Sequence, residues 1–442
     1  MRKPEFELAE PRLETRMADK KPLYSEADAG TEANRCIYCV DAPCVQACPT
    51  GIDIPTFIHK IATGNVRGAA RTIWHDNLLG YSCGRSCPVE VLCAGSCVYN
   101  TWGRQPIAIG RLQRFATETV MRKDPELLAR SRKPPTGKRI AMVGAGPASL
   151  AAAGHLALAG HAAVIFEKSS LPGGLNTFGI APYKLHAPDA LSEIEMLLGL
   201  GKIELRTGVE VTDGEAGDGQ VSAASLLEKY NAVFLGLGLG SDRRMGVPGD
   251  DAEGVVGATW LIHRIKTDST LALGDVGRAV IVGGGNTAID AAGELAKLGV
   301  AEVTMVYRRT AAEMSGYRHE MDGARREGVR LVERRQPASV EVEGGRATAL
   351  MVTDGKDGAA PERIAADLIV VAIGQARMTG LAAAFPGVEV DPSGRVVVDP
   401  ETQQTGNPKV YAGGDCVNGG KEVVNAAQHG KLAARAITAA LA

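Results

Sequence analysis

Of the nine cysteines in this 442-residue chain, eight lie between Cys36 and Cys97. They form two groups. The first reads Cys36-x2-Cys39-x4-Cys44-x3-Cys48-Pro49, and the second Cys83-x3-Cys87-Pro88-x4-Cys93-x3-Cys97. Thiolates this close together on turns can converge on a soft metal centre, and the Cys-Pro steps turn the chain without wasting a backbone donor. Structural zinc is one alternative, but it favours two CxxC knuckles, and here only Cys36 and Cys39 form one. Unligated thiols are the other. The spacing points to two iron–sulfur clusters, with the last cysteine of a run free to serve the neighbouring cluster.

Two glycine-rich turns offer a second chemistry. Arg139-Ile-Ala-Met-Val143 reads as a buried strand and runs into Gly144-x-Gly146-Pro147-Ala148-Ser149, then an alanine-rich helix. Gly144 permits the tight turn, and Gly146 lets backbone approach a pyrophosphate at the helix N-terminus. Ser149 replaces a third glycine and is small enough for close helix–strand packing. The next strand ends at Glu167, 23 residues after Gly144, where an acid takes a ribose hydroxyl. Pro172-Gly-Gly174-Leu175 follows the acid, and Val410-Tyr-Ala-Gly-Gly414-Asp415 resembles a flavin-ribityl motif. Together they favour FAD over a generic nucleotide fold. The candidate FAD set also takes in Lys184, Val211, Val424 and Asn425. The last two belong to Glu422-Val-Val-Asn425-Ala-Ala-Gln428, which reads as the start of a helix with its positive end toward the flavin.

The second turn is Ala279-Val-Ile-Val-Gly283-Gly284-Gly285-Asn286-Thr287-Ala288. Its next strand, Val303 to Tyr307, ends in Arg308-Arg309 where the first unit has an acid. A guanidinium suits a ribose 2′-phosphate, which leans the cofactor toward NADPH. Arginines that lie on the surface or stack on adenine are the alternative, so the nucleotide is written NAD(P)H. Ala372-Ile373-Gly374 resembles the loop that closes over such a cofactor.

The rest of the chain must position these groups. Glycine is abundant at 54 residues and aromatics are scarce at 4%, as suits loops that approach phosphates and helices that pack close to sheets. A net charge of -2 argues against a coat for nucleic acid or an anionic membrane. Met1 to Lys21 has no apolar signal region, and no segment reads as a membrane span, so the expected location is the cytoplasm. The fold class is α/β, with four expected segments. Residues 1–135 form a helical iron–sulfur domain, including helical stretches over Ile54–Ile73 and Ile109–Met121. Residues 136–260 and 368–442 form an FAD domain, and 261–367 an inserted NAD(P) domain. His59, His75, His155, His161 and His319 fall into no ligand-like spacing. Cys416 lacks a second cysteine with which to form a redox dithiol, so a thioredoxin-reductase-type mechanism is not expected.

From Cys36 onward the chain resembles the electron-input subunit of bacterial NAD(P)-dependent dihydropyrimidine dehydrogenase and the N-terminal half of the single-chain enzyme. It is also similar to the small subunit of glutamate synthase. Gln113, within Pro106-Ile-Ala-Ile-Gly110-Arg-Leu-Gln113, and the Gly144-to-Ser149 step lean toward the pyrimidine family. The resemblance implies one 4Fe–4S cluster on Cys36, Cys39, Cys44 and Cys97. A second would use Cys48, Cys87, Cys93 and Gln113, leaving Cys83 free. It further implies hydride transfer from NAD(P)H to FAD and single-electron passage through the clusters, with the cofactors carrying the chemistry. The pyrimidine chemistry of that family occurs in an FMN barrel, for which 442 residues leave no room. The expected partner is therefore an FMN-barrel dihydropyrimidine dehydrogenase subunit in a heteromer, with a glutamate synthase large subunit as the alternative.

Overall fold

Residues 6–354 and 360–442 are described by the computed structural model. The cysteine-bearing part is helical. Asp53 caps the helix Ile54–Ala62 by accepting from Thr56 N at 3.1 Å, and Pro55 sits in its first turn. Ile54, Phe57, Ile58 and Ile61 make its buried face, the spacing of an amphipathic helix. The helical stretch expected over Ile54–Ile73 is two helices. The chain breaks at Thr63-Gly64-Asn65, and the Asn65 side chain caps the second helix, Val66–Asp76, through Gly68 N at 2.9 Å. Helix Ile109–Lys123 buries Leu112, Phe115, Ala116 and Val120 against these two and against the short helix Gly80–Ser86. Its N-terminal region is held by Glu32, which accepts from Ala108 N at 2.7 Å.

Fifteen strands follow among the described residues: β1 Arg139–Val143, β2 Ala162–Glu167, β3 Ile203–Thr207, β4 Glu210–Thr212, β5 Gln220–Ser222, β6 Ala232–Leu235, β7 Val255–Gly257, β8 Arg278–Val282, β9 Glu302–Tyr307, β10 Arg330–Glu333, β11 Gln336–Glu343, β12 Arg346–Thr353, β13 Glu362–Ala365, β14 Leu368–Val371 and β15 Val410–Ala412. Two five-stranded parallel sheets dominate, with orders β15-β6-β1-β2-β3 and β10-β9-β8-β14-β7. β11, β12 and β13 form an antiparallel sheet, and β4 pairs with β5. All residues of β6 and β14 are buried, as expected of strands covered on both faces.

The sheets redraw the expected segment boundaries. β7 lies before residue 261 and β14 after residue 367, yet both pair within the second sheet. Its crossover connections return the chain to the middle of that sheet before it crosses back to β15, and a sequence pattern does not mark where a strand changes sheets. The N-terminal tail also departs from the helical domain. Met17 sits in the core around β8 and β9, Leu13 packs against that core, and Lys20 N donates to Tyr183 O at 2.7 Å.

Helix Val423–Ala440 lies along helix Pro147–Leu158, the helix that follows β1. Gly430 makes that approach possible, since a Cβ there would fall 2.7 Å from Ala152 N. No described helix is long and apolar enough to cross a membrane.

Candidate functional site

β1 ends in the Gly144 turn. Gly144 has φ +87°, and a Cβ on it would lie 2.7 Å from Gly236 O, so two strand ends approach more closely there than a side chain allows. Beyond the turn, Gly146 is the N-cap of helix Pro147–Leu158, with open space where a Cβ would point. Glu167 closes the turn from β2: one carboxylate oxygen accepts from Ala145 N at 2.7 Å and the other from Ser169 N at 2.8 Å.

These residues border one cleft of about 1040 Å³. Of the expected FAD set, Gly144, Gly146, Pro147, Ala148, Glu167, Gly174, Leu175, Lys184, Val211, Gly414, Asp415 and Asn425 line it. Ser149 and Val424 are buried behind the wall. Of the nicotinamide set, Asn286, Thr287, Ile373 and Gly374 reach the same cleft. Gly283, Gly285 and Ala372 do not line it, and Gly285 caps helix Asn286–Lys297. Arg308 and Arg309 are exposed at the end of β9, outside the cleft lining, and Arg309 lies over the Tyr307 ring with its guanidinium carbon 5.7 Å from the centroid. The volume and the two glycine-capped helix starts fit a dinucleotide better than a small metabolite.

Sequence reasoning placed Lys184 in the FAD set and Glu422 at a helix start, but missed the partners that tie them across the cleft. Lys184 Nζ lies 2.8 Å from Asp290 and 2.7 Å from Glu320, while Tyr317 donates to Glu422 at 2.7 Å. Burial opposes the Lys184 charge, but Asp290 and Glu320 overcome it and hold the ammonium above its usual range. Burial raises Glu422, the N-cap residue of helix Val423–Ala440. No local motif marks these positions, because the partners are far apart in the chain.

The cleft also touches the cysteine domain. Ser86, Pro88 and Leu92 line it, and they flank Cys87 and Cys93. Cys93 has Cys87, Cys48 and Cys44 as charge neighbours, so the second cysteine group gathers beside the cleft. Cys36, Cys39, Cys44 and Cys97 line a separate, nearly apolar pocket with Ile54, Ile58 and Ile107. There burial and the neighbouring thiolates push the Cys44 thiol up to about 12, a penalty that bound metal charge would relieve. Gln113 is buried, and its amide nitrogen donates to Gly80 O at 2.7 Å, which turns the amide oxygen elsewhere. Cys83 is buried too, and a hydrogen bond with it, followed by burial, raises the Cys87 thiol.

Among the described residues no three cysteine sulphurs lie within 4.8 Å of one another. Thiolate donors in number are the ligands that soft metal centres take. Asp19, His186 and Asp189 do come that close, but Arg85 and Arg114 neutralise the carboxylates, Arg85 at 2.6 Å from Asp189 and Arg114 at 3.0 Å from Asp19. Cys416 is buried, with its thiol raised to about 11 by burial, the environment of an inert core thiol.

Comparison with known proteins defines the class. Residues 138–430 match the pyridine nucleotide-disulphide oxidoreductase family, and residues 13–125 match dihydropyrimidine dehydrogenase domain II, 4Fe-4S cluster. A thioredoxin reductase from T. acidophilum superposes with a TM-score of 0.55 at 22% identity, over 68% of this chain and 97% of that one. FprA of Mycobacterium tuberculosis, in complex with NADPH, gives 0.52 at 19%, over 69% and 84%. Those likenesses define the fold. Over most of its length, the chain is 34% identical to the glutamate synthase [NADPH] small chain of Escherichia coli, covering 94% of this chain and 92% of that protein. The NAD-dependent dihydropyrimidine dehydrogenase subunit PreT of Escherichia coli is 35% identical, covering 94% and 95%. The chain belongs to the pyridine nucleotide-disulphide oxidoreductase family, in the branch that joins a 4Fe–4S domain to a flavin- and NAD(P)-binding oxidoreductase domain.

Proposed function

We propose that this protein oxidises NAD(P)H and passes the electrons, through FAD and two 4Fe–4S clusters, to an FMN-containing dihydropyrimidine dehydrogenase chain that reduces uracil or thymine. One observation carries the reading: a single cleft is lined at once by both glycine-turn helices and by the neighbours of Cys87 and Cys93. Bound flavin supplies the conversion of a two-electron hydride donor into single electrons. The chain's residues set the geometry. The Gly146 helix start would receive the pyrophosphate, Glu167 holds the turn closed and would meet the ribose, and Asp415 would take the ribityl chain. Lys184 and Glu422 link the flavin half to Asp290, Glu320 and Tyr317 of the nicotinamide half, which holds the two halves in one orientation for cofactors bound between them.

Cys48, Cys87, Cys93 and Gln113 would hold one cluster and Cys36, Cys39, Cys44 and Cys97 the other, and the two would supply one-electron carriers between flavin and partner. Ile37 and Val40, beside Cys36 and Cys39, are 50% and 99% exposed, and these apolar side chains support reading this end as the exit. Cysteines that hold clusters rather than disulfides suit the reducing cytoplasm.

A second reading, the electron-input chain of a glutamate synthase, is favoured by the 34% identity to that enzyme's small chain. Gln113 and the Gly144-to-Ser149 step tilt the balance to the pyrimidine partner. The test is reconstitution under anaerobic conditions. The isolated protein should reduce ferricyanide with NAD(P)H and leave uracil untouched, and an FMN-barrel subunit should restore dihydropyrimidine formation. Uracil reduction by this chain alone, or productive pairing only with a glutamate synthase large subunit, refutes the proposal.

A further inference from the structure

The two cysteine groups lie in contrasting electrostatic surroundings. Lys431, on helix Val423–Ala440, is 3% exposed and donates to Thr50 O at 2.7 Å. Thr50 in turn contacts Cys48, with its hydroxyl 3.3 Å from the Cys48 sulphur. Lys21 reaches the same group from the N-terminal tail, donating to Cys87 O at 2.8 Å, and Cys87 and Cys93 act on its charge. Two cations from two distant segments therefore converge on one ligand set. Each has a carboxylate nearby: Asp76 is 3.4 Å from Lys431, and Glu90 acts on Lys21. The other group, Cys36, Cys39, Cys44 and Cys97, has no cation in its pocket lining, which is built from isoleucine, valine, alanine, proline and Tyr99. Arg35 acts on Cys97 from outside that lining, and its charge is matched by both oxygens of Glu32 at 2.8 Å.

Helix Val423–Ala440 gives this arrangement a direction. Its first turn, with Val423, Asn425 and Ala426, lines the dinucleotide cleft. Lys431 follows six residues after Asn425, about 9 Å along the axis, at the cysteine ligand loop. One rigid element thus connects the two redox sites and places a positive charge at the receiving end.

We infer that Lys21 and Lys431 are positioning residues that raise the reduction potential of the cluster on Cys48, Cys87 and Cys93 above that of the cluster on Cys36, Cys39, Cys44 and Cys97. Adding an electron makes a cluster more negative, and a fixed nearby cation stabilises that form. Gln113, a neutral ligand in place of a thiolate, acts in the same direction. The cluster beside the flavin then takes the first electron readily and holds it. The second electron from the same NAD(P)H drives onward transfer, so the outer cluster is reduced when the inner one is full. This inference rests on the two-cluster reading above.

Potentiometric EPR titration of the full-length, anaerobically purified protein tests it, with iron and labile sulfide measured on every sample. The wild-type protein should show two one-electron centres of different potential. Lys431→Met should lower the higher potential by at least tenfold in the one-electron equilibrium, about 59 mV, and leave the lower one in place. Lys431→Arg should restore it. Lys21→Met should shift the same centre from the opposite side, and it decides the matter if Lys431→Met loses iron. Unmoved potentials with iron retained, or a shift confined to the lower-potential centre, overturn the inference while leaving the two-cluster reading intact. Absence of labile sulfide in the wild-type protein defeats both.

Discussion

Glu193 joins the flavin-binding half to the cysteine domain, and its protonation should be measurable as stability. It lies on helix Ala187–Leu198, is fully buried, and accepts from Tyr81 N at 2.7 Å, Ser82 N at 3.1 Å and the Ser82 hydroxyl. These donors start the helix Gly80–Ser86 that leads to Cys87. Burial outweighs the hydrogen bonds and raises the carboxyl from 4.5 to about 7. At about 1.4 kcal/mol per pKa unit, the ionised form costs this region roughly 3.5 kcal/mol. Below pH 4.5 the group is protonated whether or not the contact is formed, and no cost arises. As pH rises from 4.5 to 7, the unfolded chain ionises while the folded one keeps its proton, so stability falls. Above 7 the loss is complete. Amide hydrogen exchange followed by mass spectrometry, on peptides spanning 80–86 and 187–198, reads the opening free energy locally. Between pH 5 and 8 the protection of the native protein, relative to Glu193→Gln, should fall by most of that amount. Glu193→Ala should lower protection at every pH, because two buried N–H groups lose their acceptor at about 1–3 kcal/mol each. Parallel pH profiles for the native protein and Glu193→Gln would show that the carboxyl does not titrate in this window, and the reasoning fails.

Gln113→Cys should change the EPR signature of one cluster only, while Cys83→Ser leaves both clusters in place; loss of a cluster in Cys83→Ser with Gln113→Ala unaffected would reverse the ligand assignment. Arg308→Ala should lower the NADPH/NADH ratio of kcat/KM by about tenfold, the value of one charge-assisted contact to a phosphate, and an unchanged ratio makes Arg308 a plain surface residue. Lys184→Met should destabilise the protein by about 3 kcal/mol, because it removes the buried cation shared by Asp290 and Glu320 and leaves them only the Tyr183 hydroxyl and Lys20, seen as a lower unfolding temperature at neutral pH that recovers toward acid pH. An unchanged unfolding temperature would mean the three groups are hydrated rather than paired.

Local chemistry was legible in the order of residues. A glycine turn between a buried strand and a helix is a short-range device, so Gly144, Gly146 and Glu167 could be read without a fold, as could the cysteine spacings and the helix beginning after Glu422. The physical reason is that backbone sterics and side-chain size act over a few neighbouring residues. The tertiary structure decided what required distant segments to meet. β7 and β14 join a sheet whose borders no composition change marks, and Met17 leaves the helical domain for the core of that sheet. Lys184 finds Asp290 and Glu320, Tyr317 finds Glu422, and Lys431 reaches Thr50 across 381 positions of sequence. Such pairs depend on through-space electrostatics and burial, which act on whichever groups the packed sheets and helices bring together, and no spacing rule along one chain encodes them.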